Sequence, residues 1–236
     1  ASDWSSDVCS SDLAKSPAFL HCFVPHRHRL MTLIGFIRTH LNNSIIVNCT
    51  GSHSAEFISI FLNNIDIRVG HLHGRMEEEP KANALERYNS GKINILFVSQ
   101  KIIPSTEFKA PDYFIQYDIP KAVADEIQII NHIKPKKVII FLDDSQKNYI
   151  NLLKEAKIES KNLPFNEKKI PNLYDELDKL INKVYLIYEN SQRAYRELIS
   201  EYVNHPNKEI FCAPKLPLLD VAHSFGISAP PKLRLQ

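Results

Sequence analysis

Residues 125–135 read DEIQIINHIKP. Two acids open the run, a proline closes it, and it holds no arginine. Its one basic ring is His132, which, with no carboxylate or metal partner in its vicinity, reads as a surface or interface histidine. Other groups able to do chemistry are scattered. His26/His28 and His71/His73 are spaced two apart with no third ligand nearby, so no metal site is expected. Cys9, Cys22, Cys49 and Cys212 never fall at CxxC spacing, so reduced thiols are expected rather than a zinc knuckle or redox pair. No GxxxxGK[ST] loop and no GxSxG elbow occurs in the 236 residues. Asp143-Asp144 follow an apolar run and read as the start of a helix rather than as a catalytic pair. The Tyr and Ser residues of the stretch 173–204 sit at helical spacing and read as packing and solvated face.

The elements that would position these groups alternate. SIIVNC, IDIRVGHLH, INILFVS, DYFIQYDIP and KKVIIFLDD read as strands, and AFLHCFV is a further short apolar run. HRLMTLIGFIRTHL, SAEFISIFLNN, EEEPKANALERYNS, the 125–135 stretch and QKNYINLLKEAKI read as the helices between them. The acids opening EEEPKANALERYNS suit a helix N-terminus. Strands that are continuously apolar and separated by helices imply an α/β fold: a parallel sheet with helices on both faces. Ligands on such sheets sit beyond the carboxyl ends of the strands. That places Thr50 and Gly51, His73 to Arg75, Ser99 to Lys109 and the residues from Asp118 onward at the functional edge.

After Ile158 the pattern changes. ESKNLPFNEKKIPN reads as a polar connection, and about 30 residues of 3.6-residue periodicity follow as a helix or helix pair ended by Pro206. A small helix capped by Gly226 and an extended Pro-Pro tail complete the chain. The expected division is 1–13 as an artefact or disordered tail, 14–158 as the sheet domain, and 159–236 as a helical C-terminal extension. DVCSSDL within 1–13 resembles a translated sequencing adapter, which implies that a preceding domain is missing before Ala14. A net charge of +2 is too mild to imply nucleic acid or membrane, and no apolar run is long enough to span a bilayer.

FIRTHLNNSIIVNC, VGHLHGRMEEE, INILFVSQ, PDYFIQYDIP and the tail NKEIFCAPKLPLLDVAHSFGISAPPKLRL fall in an order that resembles the second RecA-like domain of a DEAD-box RNA helicase. The tail resembles the C-terminal extension of the nucleolar, ribosome-biogenesis subgroup. The resemblance covers nearly all of residues 19–235 and implies a RecA-like parallel sheet. It also implies RNA, as pre-rRNA or small nucleolar RNA, and pre-ribosomal proteins as partners, with a nucleolar, nuclear location and no membrane.

The family's motifs can be compared position by position. Its fourth motif is a strand ending in a small turn on RNA phosphate; Ile45–Val47 keep the strand and Thr50, Gly51 and Ser52 the turn, while Asn48 replaces an aromatic. Its His-Gly-Arg stretch is His73, Gly74 and Arg75, where the glycine admits a phosphate to the backbone and the arginine pairs with it. Met76 and Glu79 replace a glutamine and a basic residue, weakening that edge of the RNA track. The fifth motif corresponds to 99–109: Ser99 replaces a threonine hydroxyl, Glu107 an acid near the nucleotide, and Pro104 and Ser105 an arginine and a glycine. Proline stiffens that loop. Lys101 and Lys109 offer charge to RNA.

The sixth motif, close to HRxGRxxR, corresponds to 128–135 and retains no arginine: Ile129, His132 and Pro135 stand at its arginine positions. Such arginines stabilise transferring phosphate by about 10³ to 10⁵ in rate. The expectation is a chain without catalytic residues, which binds RNA and does not hydrolyse ATP. It needs no cofactor of its own, and ATP and magnesium enter only with a first RecA-like domain. Two other readings stay open: a fragment of an active helicase, and a protein-interaction scaffold that docks through the 171–235 segment.

Overall fold

The computed structural model describes residues 16–230. The suspected adapter and the end of the Pro-Pro tail lie outside the described residues. Seven strands form one sheet: β1 (Ala18–Phe23), β2 (Ile45–Cys49), β3 (Gly70–Leu72), β4 (Ile95–Ser99), β5 (Tyr113–Gln116), β6 (Lys137–Leu142) and β7 (Ser160–Asn162). Their order is β3-β4-β2-β5-β6-β1-β7, and every pairing is parallel. All residues of β2 and β4 are buried, as a strand covered on both faces requires. β4 and β5 flank β2, so the chain crosses over β2 between them, and the carboxyl ends there open the crevice.

The connecting helices are α1 (Arg29–Thr39), α2 (Ser52–Asn64), α3 (Glu78–Asn89), α4 (Val123–Ile133) and α5 (Tyr149–Glu155). Between β4 and β5 the chain makes a six-residue 3₁₀ turn, Gln100–Ser105, with Pro104 inside it. Asp143 starts a 3₁₀ turn through a capping box with Gln146, so the Asp-Asp pair does open helical structure.

Two expectations need correction. The stretch IDIRVGHLH pairs only over Gly70–Leu72, because Asp66 turns the chain at φ 62°. The supposed polar connection after Ile158 supplies β7, which pairs with β1. Its residues are polar because an edge strand buries only its backbone bonds.

The extension forms α6 (Tyr174–Lys183), α7 (Tyr185–Asn204) and α8 (Leu218–Ser224). A break at Val184 separates α6 from α7. Ala194, Tyr195, Leu198 and Ile199 of α7 join the same buried core as the sheet. Phe225 sits 5.8 Å from Phe57 of α2 and 6.5 Å from Tyr195, centroid to centroid. No helix among the described residues is long and apolar enough to cross a membrane.

Candidate nucleic-acid interface at the carboxyl edge of the sheet

β2 ends at Cys49, and the Thr50-Gly51 turn leads into α2. The Thr50 amide donates to Asp118 Oδ2 at 3.0 Å, tying the ends of β2 and β5 together. α2 has no acid in its first turn and no side-chain cap of its own. The charge comes from the extension instead. Glu197 on α7 accepts from the His53 backbone N–H at 3.1 Å and meets His53 Nδ1 at 2.5 Å. Its carboxylate fills the space beside Gly51, where a Cβ would overlap it. An anion at a helix N-terminus is favoured by the free N–H groups and the dipole. The turn identified as a phosphate contact therefore carries a carboxylate.

His73, Gly74 and Arg75 follow β3. His73 is buried and stacks on His71 at 5.5 Å. Burial, helped by His71 and Arg75, pushes its pKa down to about 4, so the ring is neutral. Gly74 is exposed, and a Cβ there would make an ordinary contact with Ile102 at 3.7 Å. Arg75 is exposed, but its Nη2 lies 3.2 Å from Glu56 Oε2. Of these three, only Gly74 and Arg75 are exposed.

Ser99 is buried, with no partner for its hydroxyl. Lys101 and Lys109 are exposed. Asn89 pins the following loop: its Oδ1 accepts from the Lys109 amide at 2.8 Å and its Nδ2 donates to the Glu107 carbonyl at 3.1 Å. Glu107 itself is exposed.

On α4, Ile129, Ile130 and Ile133 face the core. His132 is half-buried rather than at the surface, and its Nε2 donates to the Thr106 carbonyl at 2.8 Å. It ties α4 to the loop below. Lys134 ends the helix in a left-handed conformation and Pro135 is buried behind it.

Glu126 is wholly buried on the same helix. Asn48 Nδ2 donates to Gln116 Oε1 at 2.5 Å, and Gln116 Nε2 donates to Glu126 Oε2 at 2.5 Å. Burial pushes the Glu126 carboxyl up to about 8, against the pull of Gln116 and Tyr149. Asn48, a departure from the helicase motif, thus belongs to a polar chain crossing the core.

Thr50, Lys101, Ile129 and His132 line one cavity of about 540 Å³ at this edge. Gly51, His73, Gly74, Arg75, Ser99, Glu107, Lys109 and Pro135 do not line it. The far wall comes from the extension, through Leu198, Glu201, Tyr202, His205 and Phe211. Tyr202 is fixed there by donating to Asp143 Oδ2 at 3.1 Å and accepting from Gln146 Nε2 at 2.9 Å. Sequence reasoning missed this wall, for which the one local signal was the missing cap of α2.

The sheet order, the covered faces and the crevice define a RecA-like domain, and known proteins agree. Residues 26–133 match the helicase conserved C-terminal domain. Residues 185–233 match the C-terminal extension described as ATP-dependent rRNA helicase SPB4-like. Among solved structures, domain 2 of the DEAD-box helicase Mss116p, described as bound to an RNA duplex, has a TM-score of 0.69 at 15% identity, covering 89% of this chain and 86% of that one. The C-terminal domain of the DEAD-box protein Dbp5 has a TM-score of 0.54 at 18% identity, covering 71% and 98%. The chain belongs to the DEAD-box RNA helicases, as their second RecA-like domain followed by an SPB4-like extension.

Within that family it is 31% identical over 220 residues to DEAD-box ATP-dependent RNA helicase 51 of Arabidopsis thaliana, covering 91% of this chain and 39% of that protein. It is 28% identical over 212 residues to ATP-dependent RNA helicase HAS1 of Saccharomyces cerevisiae, covering 88% and 42%. The chain spans less than half the length of these relatives.

Proposed function

We propose that this chain is the C-terminal portion of a nucleolar RNA helicase of rRNA processing, and that as 236 residues it binds RNA without hydrolysing ATP. The single observation behind the second half is α4. Ile129 stands buried at an arginine position of the family motif, and an aliphatic side chain cannot stabilise charge on a transferring phosphate. His132 spends its N–H on Thr106, Pro135 is buried, and Glu107 adds negative charge. These four positions do not fit a triphosphate, and no hydrolytic step is routed through them. ATP and magnesium would be held by a first RecA-like domain.

RNA would run along the carboxyl edge, over Thr50 and Gly51, then Gly74 and Arg75, with Lys101 and Lys109 supplying charge; His73 and Ser99 shape the floor beneath. The pairing of a RecA-like domain with an rRNA-helicase extension supports pre-rRNA or small nucleolar RNA as the ligand, pre-ribosomal proteins as neighbours, and the nucleolus as the location. The sheet unit, which runs on through β7, and the helical extension that follows it would act as one RNA-binding body.

The test is phosphate release from ATP by the purified chain, with and without RNA, beside a fluorescence-anisotropy titration of labelled RNA. Salt-sensitive RNA binding with no phosphate release is the expected result. RNA-stimulated release at rates typical of the family would overturn it. A second reading, protein docking, is favoured by one observation: Tyr185, Leu186 and Tyr188 are 73%, 48% and 47% exposed at the start of α7. It predicts no RNA affinity at any salt concentration.

A further inference from the structure

Helix α2 begins without an anion of its own: no acid stands in its first turn and no side chain caps it. The appended helix α7 brings one. Glu197 Oε2 accepts the His53 backbone N–H at 3.1 Å, and Oε1 meets His53 Nδ1 at 2.5 Å. One turn further along α7, Glu201 Oε2 lies 3.5 Å from Lys121 Nζ. Residues four apart share a helix face. Two carboxylates of α7 are thus laid along the carboxyl edge of the sheet, one where β2 leads into α2 and the other just beyond β5.

Neither contact is what packs α7. Ala194, Tyr195, Leu198 and Ile199 already sit in the core, and Tyr202 is held by Asp143 and Gln146. The two carboxylates stay within reach of solvent, since the side chains of Glu197 and Glu201 are 29% and 31% exposed. Ion pairs of that kind hold weakly and yield to competing ions. A polyanion from solution can therefore take their partners while α7 remains packed.

Those partners suit phosphate. Free N–H groups at a helix N-terminus receive it, and lysine pairs with it as a point charge. The Glu197 carboxylate fills the space beside Gly51, so phosphate enters there only as the carboxylate leaves.

We propose that α7 is an internal competitor of RNA: Glu197 and Glu201 stand at phosphate positions on the edge, and RNA binds by displacing them. The inference rests on the RNA reading above and adds its regulation. The coupling is reciprocal, so RNA loosens the hold of α7 on α2 by as much as that hold weakens RNA.

The test titrates a labelled single-stranded oligouridylate with the unmutated chain and with Glu197→Ala/Glu201→Ala, at about 50 mM salt. The double variant binds about tenfold more tightly. Its salt dependence is steeper, because it neutralises more phosphates. Glu209→Gln removes an exposed carboxylate of the extension that pairs with no cation among the described residues, and it leaves the affinity unchanged. In the unmutated chain, saturating oligouridylate shifts the His53 imidazole signals as Glu197 gives way.

Equal affinity of the unmutated chain and the double variant overturns the proposal and leaves RNA binding standing. So does an equal gain in Glu209→Gln, which would reduce the effect to net charge, or bound RNA that leaves the His53 signals unmoved. No binding by any of the three proteins overturns the proposal and the RNA reading together. Should the double variant fail to fold, Glu197→Gln keeps the size of the side chain and removes its charge, and the same comparison decides.

Discussion

Glu197 Oε2 accepts the backbone N–H of His53 at 3.1 Å, joining residues 144 positions apart. One bond thus sets the extension against the first turn of α2, with Gly51 as the space that admits it. The two residues form a testable pair. Glu197→Ala removes an anion from a helix N-terminus and costs about 1 kcal/mol of stability. Gly51→Ala costs more alone, because its Cβ meets the carboxylate. In the double variant the two losses do not add, since the obstruction is already gone. Urea unfolding of the four proteins measures this. Strict additivity would show that Gly51 and Glu197 act independently. RNA affinity rises in Glu197→Ala, as phosphate gains the N–H groups that the carboxylate held.

How much of this was legible beforehand follows from where each interaction runs. β2 and β4 could be read because every side chain is buried and all but Asn48 and Ser99 are apolar. The α4 helix could be read from Ile129, Ile130 and Ile133 at helical spacing. β7 could not, since Ser160, Lys161 and Asn162 contribute only backbone pairing at an edge. Glu197 and Tyr202 looked like ordinary positions on an amphipathic helix, because their partners His53 and Asp143 are distant in sequence. Asn48 looked like a defect until Gln116 and Glu126 were placed beside it.

Stability should fall as pH rises from the ordinary glutamate range to about 8 and level off above it, because of Glu126. Its folded pKa of about 8 stands well above that of an unfolded glutamate. The folded chain holds a proton that the unfolded chain has lost, so each pH unit in this window removes up to about 1.4 kcal/mol. Below the ordinary histidine pKa of 6.5, His73 works the other way, since its lowered pKa makes the folded chain bind fewer protons. The range between about 6.5 and 8 therefore isolates the carboxyl. Melting temperatures of the unmutated chain should drop across it, while Glu126→Gln should stay nearly level. Parallel curves for both proteins would remove Glu126 as the cause.

RNA affinity should respond unequally to the exposed cations. Lys101 has no ion-pair partner among the described residues, whereas Arg75 is paired with Glu56. Lys101→Ala should lower the slope of log affinity against log salt by about 0.7, the value for one lost single-strand phosphate contact. Arg75→Ala should lower it less, and Glu56→Gln should strengthen binding by releasing the guanidinium. Anisotropy titrations between about 50 and 200 mM salt give these slopes. Identical slopes in all four proteins would place the RNA elsewhere.

Gly226 supports the end of the extension. It follows α8 at φ +69°, a conformation suited to glycine. Its amide donates to the His223 carbonyl at 2.9 Å and that of Ile227 to Ala222 at 2.9 Å, the paired bonds of a Schellman motif. Leu177 and Ile181 of α6 close over it, so a Cβ would strike them. Gly226→Ala therefore combines left-handed strain with steric overlap and should cost about 2 kcal/mol or more. Gly91 has φ +76° with open space around it, so Gly91→Ala carries the strain alone and should cost about 1 kcal/mol. Chemical denaturation of the two variants separates the contributions. Equal losses would mean that α6 yields freely to the methyl group and that the extension is held by α7 alone.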